Sequence, residues 1–400
     1  DMKQELEANF LRHVAQTSDA PIILHVDRAE GIYLIDQEGR SVIDFISGIC
    51  VSNLGHNDPD IRAAIHAQTD RYLHPNVYGE VIMTPQVSYA KRLCGALGEP
   101  FDAVYFGNSG AESIEGALKV AKKFTGRGEL IAFENAYHGS THGALSVTGK
   151  AGKKEGYGPL LPNVSFLPFN EIEPLSTISP NTAAVIVEVI QGAGGIVLPK
   201  PGFLSALRAR CDEVGALLIF DEIQTGFGRS GSLFAFQQFG CVPDIIVLAK
   251  ALGGGMPLGA FVCRQEIMQV IRRNPPLGHL TTFGGHPVSC AAGMALLDKL
   301  MASDLLTQIP AKAAVLREML VHPAIRELRG MGMMYAILFD DYETADQIRA
   351  ACLRRGLLTI GFLSIDNGLR ITPPLTITEG EMKLACQIIL DAIAEVVGGK

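Results

Sequence analysis

The chain predicts an α/β fold: a large domain with a mostly parallel sheet covered by helices, plus a small α+β domain built from both chain ends. Three observations predict this. Compact apolar runs alternate with helical patterns between about residues 60 and 295, as strand–helix–strand units require. The first 50 residues and the last hundred have a different grain from the middle. Hydrophobic residues make up 48% and charged residues 19% of 400, enough for a large buried core. The expected boundaries are 1–55 and 296–400 for the small domain and 56–295 for the large one.

The elements follow in order. Residues 1–20 read as a helix with Leu6, Phe10, Leu11 and Val14 on one face. Strand signals at 22–26, 31–36 and 41–45, with a turn at 37–40, read as a β-meander. Seven short apolar strands are then expected at 103–106, 130–133, 164–167, 183–188, 217–220, 245–248 and 259–262. Runs this apolar are what a sheet buried on both faces demands. Beyond 295 come a helix, a strand at 332–339, a helix, short strands near Leu357 and Leu369, and a last helix from Glu379.

A net charge of −8 and the absence of a clustered basic run argue against a nucleic-acid surface. Eight scattered cysteines with no CxxC fit a reduced cytoplasmic protein better than a disulfide framework. The polar opening shows no secretory pattern, and no charge-free apolar stretch is long enough to span a bilayer, so no membrane association is expected.

Two strand ends carry opposite charges. The run 216–220 ends in Asp221, and 244–249 ends in Lys250 just before Gly253, Gly254 and Gly255. Alone, Asp221 could cap a helix and Lys250 could snorkel to solvent. Together they suit a planar aldehyde with a ring nitrogen: the amine condenses with the aldehyde, and the carboxylate keeps the nitrogen protonated. That is the pyridoxal phosphate arrangement. Two further strand ends add to it. The turn 107–113 opens a helix near Ile114 and offers free N–H groups to a phosphate, or else simply uses Ser109 as an N-cap. After 130–133 stands Tyr137, able to stack on a planar ring or to fill a core. His138 and His142 lack a carboxylate at ligand spacing and no HExxH is present, so no metal is expected.

The stretches 221–231 (DEIQTGFGRSG), 248–259 (LAKALGGGMPLG) and 281–287 (TTFGGHP) resemble the class III aminotransferases, the group of acetylornithine, ornithine and 4-aminobutyrate aminotransferases. The similarity runs from 36–56 to 370–374. It implies fold type I, pyridoxal 5′-phosphate as cofactor, and a homodimer with shared sites. Lys250 matches the lysine that bonds the cofactor, Asp221 the acid at its ring nitrogen and Gln224 the side chain near the ring hydroxyl. Tyr137 matches the stacking aromatic, with His138 beside it, and Ser109, Gly110 and Ala111 the phosphate turn. Thr282 matches a threonine given to the neighbouring subunit's phosphate, Arg370 the arginine that grips a substrate α-carboxylate, and Glu188 the glutamate that shields it. Ile49, Tyr78 and Ser140 complete the expected substrate contacts.

The chain also departs from the pattern. Ser140 stands where relatives using 2-oxoglutarate often carry arginine, Val189 where proline is usual, Ala193 where glutamate is common and His286 where asparagine is usual. The implied activity is transfer of a terminal amino group from an acetylornithine-, ornithine- or 4-aminobutyrate-like donor to a 2-oxo acid such as 2-oxoglutarate, with ping-pong kinetics. An aminomutase or lyase on the same scaffold, or a pyruvate-dependent ω-amine transaminase, is the alternative. A nicotinamide dehydrogenase would need GxGxxG after a strand, and none is found.

Overall fold

A computed structural model describes residues 1–398. Its strands are β1 (Arg28–Glu30), β2 (Tyr33–Ile35), β3 (Ser41–Asp44), β4 (Ala103–Gly107), β5 (Glu129–Phe133), β6 (Val164–Leu167), β7 (Thr182–Glu188), β8 (Leu217–Asp221), β9 (Ile245–Leu248), β10 (Gly259–Cys263), β11 (Glu327–Met331), β12 (Met334–Leu338), β13 (Leu357–Leu358) and β14 (Gly368–Ile371). The central sheet has the order β4-β10-β9-β8-β7-β5-β6. Within it β10 runs antiparallel to both neighbours, and the other pairs are parallel. The carboxyl ends of β4, β9, β8, β7 and β5 therefore share one edge of the sheet.

Helices cover this sheet, which is why its strands lack alternation: all seven residues of β7 are buried. The helix Gly110–Thr125 lays Ile114, Ala117, Leu118, Val120 and Ala121 against it, an apolar stripe at three-and-four spacing. Its N-terminus comes four residues earlier than Ile114, because Ser109 caps it by accepting Glu112 N–H at 3.1 Å.

The two chain ends meet in one sheet of order β1-β2-β3-β13. There Leu357 and Leu358 pair in parallel with Ile43 and Asp44. A third sheet, β11-β12-β14, carries Arg370 opposite Ala336. Three expectations need correction. The first helix stops at His13. Residues 22–26 form no strand: Ile23 turns to φ +54, which breaks an extended run, and Ile22, Ile23 and Val26 are exposed. The expected strand at 332–339 is β12 of a hairpin, with Gly332 at φ +60 in its turn and an unforeseen partner β11 before it.

Candidate active site

A cavity of about 830 Å³ opens at the shared carboxyl edge, lined by residues from both chain ends and from the central sheet. Asp221 ends β8 and Glu188 ends β7, directly opposite each other in register. Asp221 is 5% exposed, with Oδ1 accepting Ile223 N–H at 2.9 Å and Oδ2 at 2.7 Å from His138 Nδ1. His138 Nε2 is buried and unpartnered.

Lys250 follows Ala249 beyond β9 at φ +52, a conformation uncommon for a lysine, and opens a short 3₁₀ turn. Burial pushes its ammonium pKa down, helped by the nearby Arg370 guanidinium. Its Nζ has no hydrogen bond or ion pair among the described residues, so its amine is free to react.

Ser109, Gly110 and Ala111 line the cavity at the start of their helix. A Cβ on Gly110 would come within 2.8 Å of Ile223 Cδ1, so the turn lies tight against the segment after Asp221. The Tyr137 side chain is 36% exposed at the cavity wall, its hydroxyl 3.3 Å from Ser140 Oγ. Gln224 Nε2 reaches Cys50 Sγ at 3.6 Å. Glu188 is held by two backbone donors, Tyr137 N–H on Oε1 and Gly192 N–H on Oε2, each at 3.1 Å. Burial drives its pKa up to about 7 despite the neighbouring His138.

Arg370 is 4% exposed. Its Nε donates to Gly361 O at 3.2 Å and its guanidinium lies 4.8 Å over the Phe362 ring, while Nη1 is buried without a partner. No carboxylate among the described residues forms an ion pair with it. The shielding contact expected from Glu188 is absent from this arrangement, since both Glu188 oxygens serve backbone N–H groups.

Ile49 enters the wall on an unusual segment. Ser47, Gly48, Ile49 and Cys50 have φ of +54°, +60°, +68° and +61°, a left-handed turn with only one glycine. Asp44 Oδ1 accepts Ile46 and Ser47 N–H at 3.0 and 2.9 Å, and Ser47 Oγ donates to Thr372 O at 2.7 Å. Buried Arg229 joins the same knot, donating to Met333 O at 3.0 Å, Asn53 Oδ1 at 2.6 Å, Ser47 Oγ at 3.4 Å and the Pro373 carbonyl.

One expected substrate contact stands outside the cavity, and so does Thr282, which was expected at the neighbouring subunit's site. Tyr78 uses its hydroxyl to accept Phe106 N–H at 3.1 Å and to donate to Val104 O at 3.4 Å, so it fastens β4 rather than facing the site. Thr282 is exposed and away from this cavity. His286, one of the departures, caps the helix Pro287–Ala302 through Nδ1 and Val288 N–H at 3.1 Å. Sequence reasoning missed the wall formed by 255–258 and 360–363, which carries no charged residue to draw notice. It also missed the tie between His138 and Asp221, 83 positions apart.

The donor set fits pyridoxal 5′-phosphate. It offers a free amine, a buried carboxylate, an aromatic wall, helix N–H groups for a phosphate and a guanidinium with one unpartnered nitrogen for a substrate carboxylate. Comparison with known proteins agrees. The family model described as "Aminotransferase class-III" matches residues 14–393. An acetylornithine aminotransferase of Caldanaerobacter subterraneus subsp. tengcongensis is 39% identical over 383 residues, 92% of this chain and 94% of that protein. The ornithine aminotransferase of Toxoplasma gondii superposes with a TM-score of 0.91 at 29% identity, covering 99% of this chain and 95% of that one. A pyridoxal-phosphate-bound amine transaminase from an uncultivated Pseudomonas species gives 0.88 at 30%, covering 96% and 98%.

Proposed function

The chain belongs to the class III aminotransferases, pyridoxal-phosphate-dependent enzymes of fold type I, and from that premise we propose that it moves a terminal amino group from a small-molecule donor to a 2-oxo acid in two half-reactions. The donor would be of acetylornithine, ornithine or 4-aminobutyrate type; two of the relatives are named for the first two. The observation that carries the reading is the meeting of Lys250, Asp221 and Arg370 on one cavity. When bound, the cofactor supplies an aldehyde to take up nitrogen and an electron-poor ring to draw charge from the substrate carbon.

The residues divide the remaining work. Asp221, anchored by His138 and Ile223 N–H, keeps a proton on the ring nitrogen. Ser109, Gly110 and Ala111 hold the phosphate at a helix N-terminus, where N–H groups and the dipole favour an anion. Tyr137 and Gln224, both on the cavity lining, would hold the ring. Lys250, its pKa lowered by burial, would anchor the cofactor and, once freed, would serve as general base at the reacting carbon. Arg370 binds the acceptor's carboxylate. Glu188 acts as a fixed anchor: its two backbone bonds set Tyr137 and the turn at Gly192. A Cβ on Gly192 would meet Gln224 Oε1 at 2.1 Å, so the turn and the ring-binding glutamine are packed as one unit. Thr282 would serve the second site of a homodimer.

The test is nitrogen balance. With a purified yellow holoenzyme, each mole of donor consumed should yield one mole of aminated acceptor, with parallel double-reciprocal lines. Conversion of the donor without any acceptor would favour a lyase or aminomutase instead.

A further inference from the structure

The Tyr137 side chain does little to fix its own place. Its ring is partly exposed, and the one partner of its hydroxyl among the described residues, Ser140, is exposed as well. The ring is therefore placed by its backbone, the turn that follows β5. Asn135 bends that turn at φ +63, so the segment is no extension of the strand and needs ties of its own. Gln191 Nε2 donates to Glu134 O at 2.8 Å, and Tyr137 N–H donates to Glu188 Oε1 at 3.1 Å. The third tie comes from the far end of the chain: Ser364 Oγ donates to Asn135 O at 2.9 Å. Among the described residues no other donor reaches that carbonyl.

Ser364 is buried in the loop between β13 and β14. The same loop lines the cavity with Ile360, Gly361, Phe362 and Leu363. Ser364 N–H also donates to Ala193 O at 3.0 Å, so one residue grips the turn before Tyr137 and the turn after Glu188. The second turn has other holders. Arg329 donates through Nε to Gly195 O at 2.7 Å and through Nη2 to Gly194 O at 3.1 Å, and Gln191 pairs with Val197. Asn135 O has the serine hydroxyl alone. We propose that Ser364 is a positioning residue for the cofactor ring: acting through Asn135, it sets Tyr137 and locks that aromatic to the wall at Phe362 and Leu363. The proposal rests on the cofactor placement given above. Each contact lies within a single chain, so the device draws nothing from a second subunit.

Ser364→Ala removes one hydroxyl and keeps the N–H bond to Ala193 O, so the loop stays docked. The experiment titrates pyridoxal 5′-phosphate into four full-length proteins: unaltered, Ser364→Ala, Tyr137→Leu and the double variant. Visible circular dichroism reads the orientation of the bound ring. Ser364→Ala should weaken cofactor affinity by about fivefold, the size of one net hydrogen bond, and diminish the dichroic band. With leucine already at 137, the same change should cost less than about twofold, a coupling that simple support of the fold does not produce. Ser364→Cys, with a weaker donor in the same place, should lose less than Ser364→Ala. Unchanged affinity and dichroism in Ser364→Ala overturn the proposal. So does an equal loss in both backgrounds, or a cysteine variant weaker than the alanine one. The titration reads binding alone: a protein that holds the cofactor in this way but moves no nitrogen loses the transaminase reading and keeps this one.

Discussion

His138 Nδ1 sits 2.7 Å from Asp221 Oδ2, and both side chains are buried, so the acid at the heart of the cavity is oriented by a residue from the next strand but one. The pair behaves as one device for placing a negative charge. Asp221→Asn should lower kcat by about 100-fold or more, because a neutral amide no longer favours a protonated ring nitrogen. His138→Leu should give a smaller loss, about tenfold, with a shifted absorbance maximum of the bound cofactor. Steady-state rates and visible spectra of both variants check this; a His138 variant with unchanged spectrum and rate contradicts it.

Lys250→Ala should remove the yellow band of the unaltered protein and cut turnover by about a thousandfold or more, since anchor and general base are lost together. Exogenous small amines should restore part of the proton transfer. A variant retaining full activity would falsify the assignment.

Arg229 is the structural counterpart. It is fully buried and ties together three separate segments, through Ser47 and Asn53, Met333, and Pro373. Arg229→Met should destabilise the protein by about 3 kcal/mol or more, because several buried acceptors lose their donor at once. Denaturant midpoints measure it.

Glu222 gives a pH prediction. It is buried, accepts Ala235, Phe236 and Thr225 donors, and burial raises its pKa from the ordinary 4.5 to about 7. A raised carboxyl holds its proton more tightly when folded. Its contribution is full below about pH 4.5 and is lost as pH rises through about 7. Unfolding measured from pH 5 to 8 should show a flatter pH slope in Glu222→Gln than in the unaltered protein, on a curve that lies lower throughout. An identical slope contradicts the assignment.

The strands of the central sheet were legible because both faces are covered, and burial writes itself as unbroken apolar runs. Asp221, Lys250 and Tyr137 were legible because strand ends in such a sheet point at one edge. What the sequence hid was tertiary. Nothing in residues 22–26 says that no neighbour offers them a ladder, and their apolar pattern alone reads as a strand. Tyr78 looked available until the fold brought its hydroxyl to Phe106 N–H. Glu188 resembles a shield for Arg370, but only the folded chain shows its oxygens already taken by Tyr137 and Gly192.

The left-handed turn at Ser47–Cys50 is fastened from far downstream: Thr372 accepts from Ser47 Oγ, and its own hydroxyl reaches Ile46 O at 3.3 Å. Some 325 positions separate these partners. During synthesis the turn bearing Ile49 thus lacks its Thr372 fastening until residue 372 has been added. Cofactor capture therefore waits on synthesis through Thr372, and a nascent chain halted before that residue should emerge from the ribosome colourless.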